Sequence, residues 1–227
     1  MAINSGKTKA MTISSSTAAT GKELNLKVDG KPLGQVKKFK FLGITIDADL
    51  RFSDHATSLA KKCKKRNNIL KSMAWKDWGN SLEIQRTLYI QYIRSCLDYA
   101  SSSWVPWIAD CHMKKLETVQ NEALRAMAGL TKTCPNEFLN LETNIKPFRL
   151  RYEKNDEITM DRYLRLPETD SRRQLAEIAV PQRLKTRIGW RTKTQKNTEE
   201  AKIGKIARAE VTPPLPPWMR HDNLTIA

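Results

Sequence analysis

The spacing of apolar residues changes character near residue 53. Before it, Leu24, Leu26 and Val28 alternate with Asn25 and Lys27 and run into Asp29 and Gly30, the signature of a hairpin with a tight turn. Lys9 to Ser14 and Lys38 to Ile46 have the same strand character, and the small polar stretch from Ser14 to Thr20 reads as a loop. After Ser53 the period lengthens to that of helices. Ala56, Leu59, Cys63, Leu70 and Met73 share one stripe, with Ser53 or Asp54 expected as its cap.

A second helix is expected from Asn80, whose spacing to Glu83 resembles a capping box, with Leu82, Leu88, Tyr89, Tyr92, Ile93, Cys96 and Leu97 forming its apolar face. Pro106 interrupts the segment from Ser101 to Trp107. A third helix is expected from about Asp110 to Ala128, ended by Gly129 and lined inward by Met113, Leu116, Val119, Ala123, Leu124 and Met127. Pro135 and Pro147 suit first helical turns, which predicts helices at 135–142 and 147–165. Beyond Pro167 the periodicity fades. The basic run from Arg187 to Asn197 predicts a disordered or loosely held arm, and Pro213 to Met219 an extended linker. The pattern as a whole predicts an α+β, mainly α fold. A small N-terminal antiparallel sheet (1–52) is followed by a helical bundle (53–166) and a basic tail (167–227).

Charge sharpens this picture. The 227 residues carry 40 Lys and Arg against 24 Asp and Glu, a formal +16. The excess sits in two places: His55 to Gly79 has seven basic residues and one acid, and Pro181 to Glu210 has nine and three. Such a balance favours polyanionic partners through counterion release. No apolar run approaches the roughly 18 residues of a spanning helix, and no signal sequence opens the chain, so an intracellular protein of cytoplasm or nucleus is expected, with no membrane partner. Cys63, Cys96, Cys111 and Cys134 form no C-x-x-C pair and read as reduced, mostly buried thiols.

Candidate chemistry is sparse. Asp47 and Asp49 end a strand where a two-metal site would place carboxylates, but no third acid accompanies them, which favours a solvated strand-to-helix turn. His55, Cys111 and His112 fit no zinc spacing, so packing or helix-start roles are expected of them. P-loop, G-x-S-x-G and dinucleotide fingerprints do not occur. No catalytic or metal residue is therefore assigned, and no cofactor. Lys61, Lys62, Lys64, Lys65 and Arg66, opposite the apolar stripe, form a face that can lie along a phosphate backbone. Trp75, Trp78, Trp104 and Trp107 could stack on bases, although core packing suits them better.

Four segments, taken in order, resemble the C-terminal part of the reverse transcriptase of non-LTR (LINE-like, Jockey-type) retrotransposons. They are Ile3, Asn4, Lys7, Thr8, Lys9 and Met11; Phe39 to Asp47 with Leu50, Phe52 and His55; Leu88 to Ala100 followed by Trp104; and Lys115 to Arg125. The resemblance implies that Asn4, Lys7 and Thr8 belong to a palm strand, that Phe41, Leu42 and Gly43 are the turn of a primer-grip hairpin, and that the helices from 53 to about 130 are a thumb. It also implies an RNA template and DNA primer as partners. Family members hold two Mg²⁺ ions on palm aspartates, including a Tyr-x-Asp-Asp pair, and these 227 residues contain no Tyr-x-Asp-Asp. The expectation is a fragment that grips template–primer without polymerising alone, with the missing palm half of the polymerase as a further partner. A non-enzymatic nucleic-acid-binding protein, or an interaction protein pairing through an open sheet edge between Leu24 and Ile46, are the alternatives.

Overall fold

The computed structural model describes residues 4, 7–14, 24–28, 30–74, 80–178, 192 and 194–197. They fall into two compact units, Met1–Asn155 and Asp156–Ala227. Among the described residues the fold is α+β and mainly helical, with three small two-stranded sheets.

Within the first unit the strands are short. β1 (Lys9–Ala10) pairs with β4 (Gly34–Gln35), β2 (Lys27–Val28) with β3 (Lys31–Pro32), and β5 (Lys38–Phe41) with β6 (Ile44–Asp47). The hairpin at Gly30 forms where the alternation and turn residues place it, with Gly30 at φ 75°. Two expectations need correction. The β1–β4 pair is parallel, because β1 meets a strand 25 residues later rather than a hairpin partner. The stretch from Lys38 to Ile46, one strand by its alternation, is two strands folded back at Leu42 and Gly43, the place where the resemblance implies a hairpin.

Helix α1 (Ser53–Met73) buries Ala56, Leu59, Cys63 and Leu70 as its stripe predicts, together with His55 and Asn67. Its start differs from expectation. Neither Ser53 nor Asp54 caps it; the cap residue is Phe52, in left-handed conformation and buried. Asp47 turns back to accept the backbone N–H groups of Arg51 (3.1 Å) and Phe52 (2.8 Å). Burial of the Phe52 ring outweighs local cap chemistry here.

The next helical run comprises α2 (Leu82–Leu88), a π-helical stretch (Tyr89–Arg94) and α3 (Ser95–Asp98). Ser81, not Asn80, is its cap, accepting from the Ile84 amide. The Ser95 amide donates five residues back to Ile90, the mark of the widened turn. Tyr89, Ile93 and Leu97 are fully buried, whereas Tyr92 faces outward. The chain breaks at Tyr99 and Ala100, the latter left-handed at φ 48°, then forms α4 (Ser101–Trp104) and a 3₁₀ turn (Val105–Trp107).

α5 (Asp110–Ala128) ends on Gly129 at φ 63°, as its sequence predicts. It is the main partner of α1. Leu116, Val119, Ala123, Leu124 and Met127 face inward, and each fully buried leucine contributes on the order of 1.5–3 kcal/mol. Buried Asn67 joins the two helices by donating to the Val119 carbonyl at 2.8 Å. α6 (Asn136–Glu142) and α7 (Phe148–Leu164) begin just after Pro135 and Pro147. Phe148 and Tyr152 complete the core. Of the four reduced cysteines Cys63 alone is buried; Cys96 and Cys134 are half-buried and Cys111, on the first turn of α5, is exposed, so the expected general burial does not hold.

The second unit contains α8 (Ser171–Glu177), capped by the Asp170 carboxylate on the Arg172 amide. Residues 194–197, expected in a loose arm, are helical; Gln195 donates to the Ala176 carbonyl (2.7 Å) and Asn197 to Glu157 (3.0 Å). The rest of that arm and the proline-rich stretch lie outside the described residues.

Candidate nucleic-acid interface

The five basic residues clustered at 61–66 on α1 separate into two kinds. Lys61, Lys62, Lys64 and Lys65 are exposed, on turns whose opposite side is the buried stripe. Arg66 points back into the protein. Its guanidinium stacks 4.2 Å from the Tyr92 ring centroid and donates to the Tyr92 carbonyl and, at 2.6 Å, to Cys96 Sγ. Arg66 thus joins α1 to the π-helical stretch, and the lysines remain as the outward cations.

The β5–β6 turn has two central residues, Leu42 (φ 45°) and Gly43 (φ 87°), the pattern of a type I′ hairpin. Glycine takes that conformation freely; leucine does not. Leu42 is nevertheless held there with 73% of its surface exposed, beside an exposed Phe41. Two large apolar side chains on a tight turn contribute little to burial.

The turn and the basic helix share one groove. A cavity of about 450 Å³ is lined by Lys40, Leu42 and Gly43 from the hairpin, Ser58 and Lys62 from α1, and Tyr99 from the break after α3, among others. Among the described residues none that lines it is acidic. His55 also lines it; its imidazole packs edge-on against Trp104 with centroids 5.0 Å apart, and its Nδ1 accepts the Thr45 amide at 3.4 Å. Burial, with Lys40 nearby, lowers the His55 pKa, so the ring is neutral and able to accept. This is the packing role expected of it.

Other expected site residues lie elsewhere. The Lys7 and Thr8 amides both donate to the Asn4 carbonyl at 3.1 Å, and Thr8 Oγ1 does so at 2.9 Å. Asn4, Lys7 and Thr8 therefore make a local turn ahead of β1, not a strand, and none lines the groove. Trp104 is core and Trp107 is half exposed; Trp75 and Trp78 lie outside the described residues. Asp47 is engaged by two amides and Asp49 approaches Arg51 at 4.0 Å. Among the described residues no three His, Cys, Asp or Glu converge as a metal site, and no helix is long and apolar enough to cross a membrane. The described carboxylates do not fit a two-metal centre.

Sequence reasoning missed Lys40 and Tyr99. Lys40 carries a signal, since it alternates with Phe39 and Phe41 and so faces the other side of β5. Tyr99 carries none beyond its place in the matched Leu97, Asp98, Tyr99 segment.

Comparison with known proteins gives a class. The chain is distantly homologous, over part of its length, to RNA-directed DNA polymerases of non-LTR retrotransposons. It is 26% identical over 110 residues to a probable RNA-directed DNA polymerase from transposon BS of Drosophila melanogaster, covering 48% of this chain and 12% of that protein. With the corresponding X-element protein of the same fly it shares 28% over 106 residues, or 45% of this chain and 11% of the relative. A Pol polyprotein from the type-1 retrotransposable element R1 4 of Nasonia vitripennis matches at 25% over 166 residues, 66% of this chain and 41% of its own length. The chain thus spans a minor part of each relative. No family model and no solved structure matches.

Proposed function

We propose that this chain is the gripping part of a non-LTR retrotransposon reverse transcriptase. The β5–β6 turn acts as primer grip and α1 as the thumb helix that follows the phosphate backbone of an RNA template paired with a DNA primer. The observation that carries this reading is the shared groove, in which Leu42 and Gly43 of the turn face Lys62 of the helix with no carboxylate between them. Apolar, strained turn residues suit close approach to a sugar–base edge, and the lysines suit phosphates. In this reading the aspartates and their Mg²⁺ ions, which supply the phosphoryl-transfer chemistry, belong to another palm segment, and the residues described here bind and orient the duplex.

Fluorescence anisotropy with an RNA–DNA hybrid bearing a recessed DNA 3′ end, measured across salt concentrations, tests the proposal. Replacing Lys61, Lys62, Lys64 and Lys65 by alanine is expected to lower the slope of log K against log salt by about 3. An unchanged slope, or no binding at micromolar protein, would overturn it. Equal affinity for blunt duplex and single-stranded RNA would favour a sequence-independent binding protein instead.

A further inference from the structure

We infer that Tyr99 is a positioning residue: it latches the Leu42 and Gly43 turn to the helical body and holds it in the left-handed conformation. The inference rests on the gripping role proposed for that turn. Tyr99 donates its hydroxyl to the Leu42 carbonyl at 2.9 Å, across 57 residues of sequence. Its ring edge also lies against Gly43, where Cε1 would be 3.6 Å from a β-carbon built on that glycine. One side chain therefore touches both residues whose positive φ defines the turn. A leucine at φ 45° with its side chain in solvent gains little from its own packing, so the conformation needs an external tie.

The base of the latch is rigid. Ala100, left-handed at φ 48°, breaks the helical run just after the exposed Tyr99, and buried Trp104 donates its indole N–H to the Tyr99 carbonyl at 3.1 Å. Next door, Asp98 accepts from Arg94 (3.0 Å) and from buried Arg151 (3.1 Å), fixing the end of α3. Trp104 also packs against His55, the acceptor for the Thr45 amide on the far side of the turn. Two arms rooted on one buried indole thus reach the hairpin, one at Leu42 and Gly43 and the other at Thr45. Preorganisation of this kind is what a binding turn requires, because an unfixed turn must be ordered when the ligand arrives.

The test uses the full chain and Tyr99→Phe, which removes the hydroxyl and keeps the ring. Hydrogen exchange of peptides covering residues 40–46 should speed by about five- to tenfold, the factor expected for one lost hydrogen bond, with α5 peptides and the melting temperature unchanged. Affinity for the recessed RNA–DNA hybrid should fall by about three- to tenfold. The double variant with Gly43→Ala should lose less than the two single losses combined, because both act on one turn. Unchanged exchange at 40–46 would overturn the latch. A loosened turn with unaltered affinity would overturn its positioning role. A wild-type chain that fails to bind the hybrid would defeat the gripping reading instead, and the exchange result would then decide the latch alone.

Discussion

Residues 97 and 99 sit two apart on one chain and serve different parts of the first unit. Leu97 is fully buried among Tyr89, Ile93, Leu116 and Leu124, whereas Tyr99 is mostly exposed and reaches the hairpin. The same contrast separates the α1–α5 core from the β5–β6 turn. In the core, apolar groups are hidden and most buried polar groups are paired: Tyr89 donates to Gln120 at 3.0 Å, and Arg151 meets Asp98 and Gln120. At the turn, apolar groups face solvent and the backbone is strained. Folding free energy explains the first region and not the second, which directs a functional reading to the turn.

Breaking the core should therefore cost stability, and breaking the turn should not. Leu124→Ala is expected to lower unfolding free energy in urea by about 2–5 kcal/mol, while Leu42→Ala should stay within about 0.5 kcal/mol; similar losses would erase the contrast. Asp98→Ala, which removes the carboxylate partner of buried Arg151, should cost about 3 kcal/mol in the same assay. Arg66→Ala should lose about 1–2 kcal/mol through its stacking and hydrogen bonds, whereas Lys64→Ala should leave urea unfolding unchanged and weaken only hybrid binding. The smallest effect concerns pH. The folded protein holds His55 neutral more strongly than the unfolded chain does, so stability is flat above its ordinary pKa of 6.5 and declines as pH falls below it. In His55→Gln that decline should shrink, as followed by thermal melts between pH 7 and 5.

Much of the helical body is legible in the sequence because its signals are local. Gly129 ends α5, Pro135 and Pro147 precede α6 and α7, and the stripes on α1 and α5 are buried as their periods require. The strand region is less legible. A two-residue turn of leucine and glycine lacks the usual asparagine or aspartate, so alternation alone reads Lys38 to Ile46 as one strand although it is two, and only the family resemblance points to a hairpin there. The widened turn at Tyr89–Arg94 leaves no local trace, and neither does the choice of Phe52 over Ser53 as the cap of α1.

The candidate site divides along the same line. Phe41, Leu42, Gly43 and the four lysines follow from sequence pattern and resemblance, but their meeting in one groove does not, since it depends on how β5–β6 lies against α1 and α3. The sequence by itself determined which side of α1 is apolar and which is cationic, because a fixed period of 3.6 residues places each side chain. Tertiary structure alone decided that Arg66 turns inward to Tyr92, 26 residues away, and that Tyr99 reaches Leu42 across 57. Such contacts depend on where distant segments come to lie after the core has closed, and no local pattern encodes that distance.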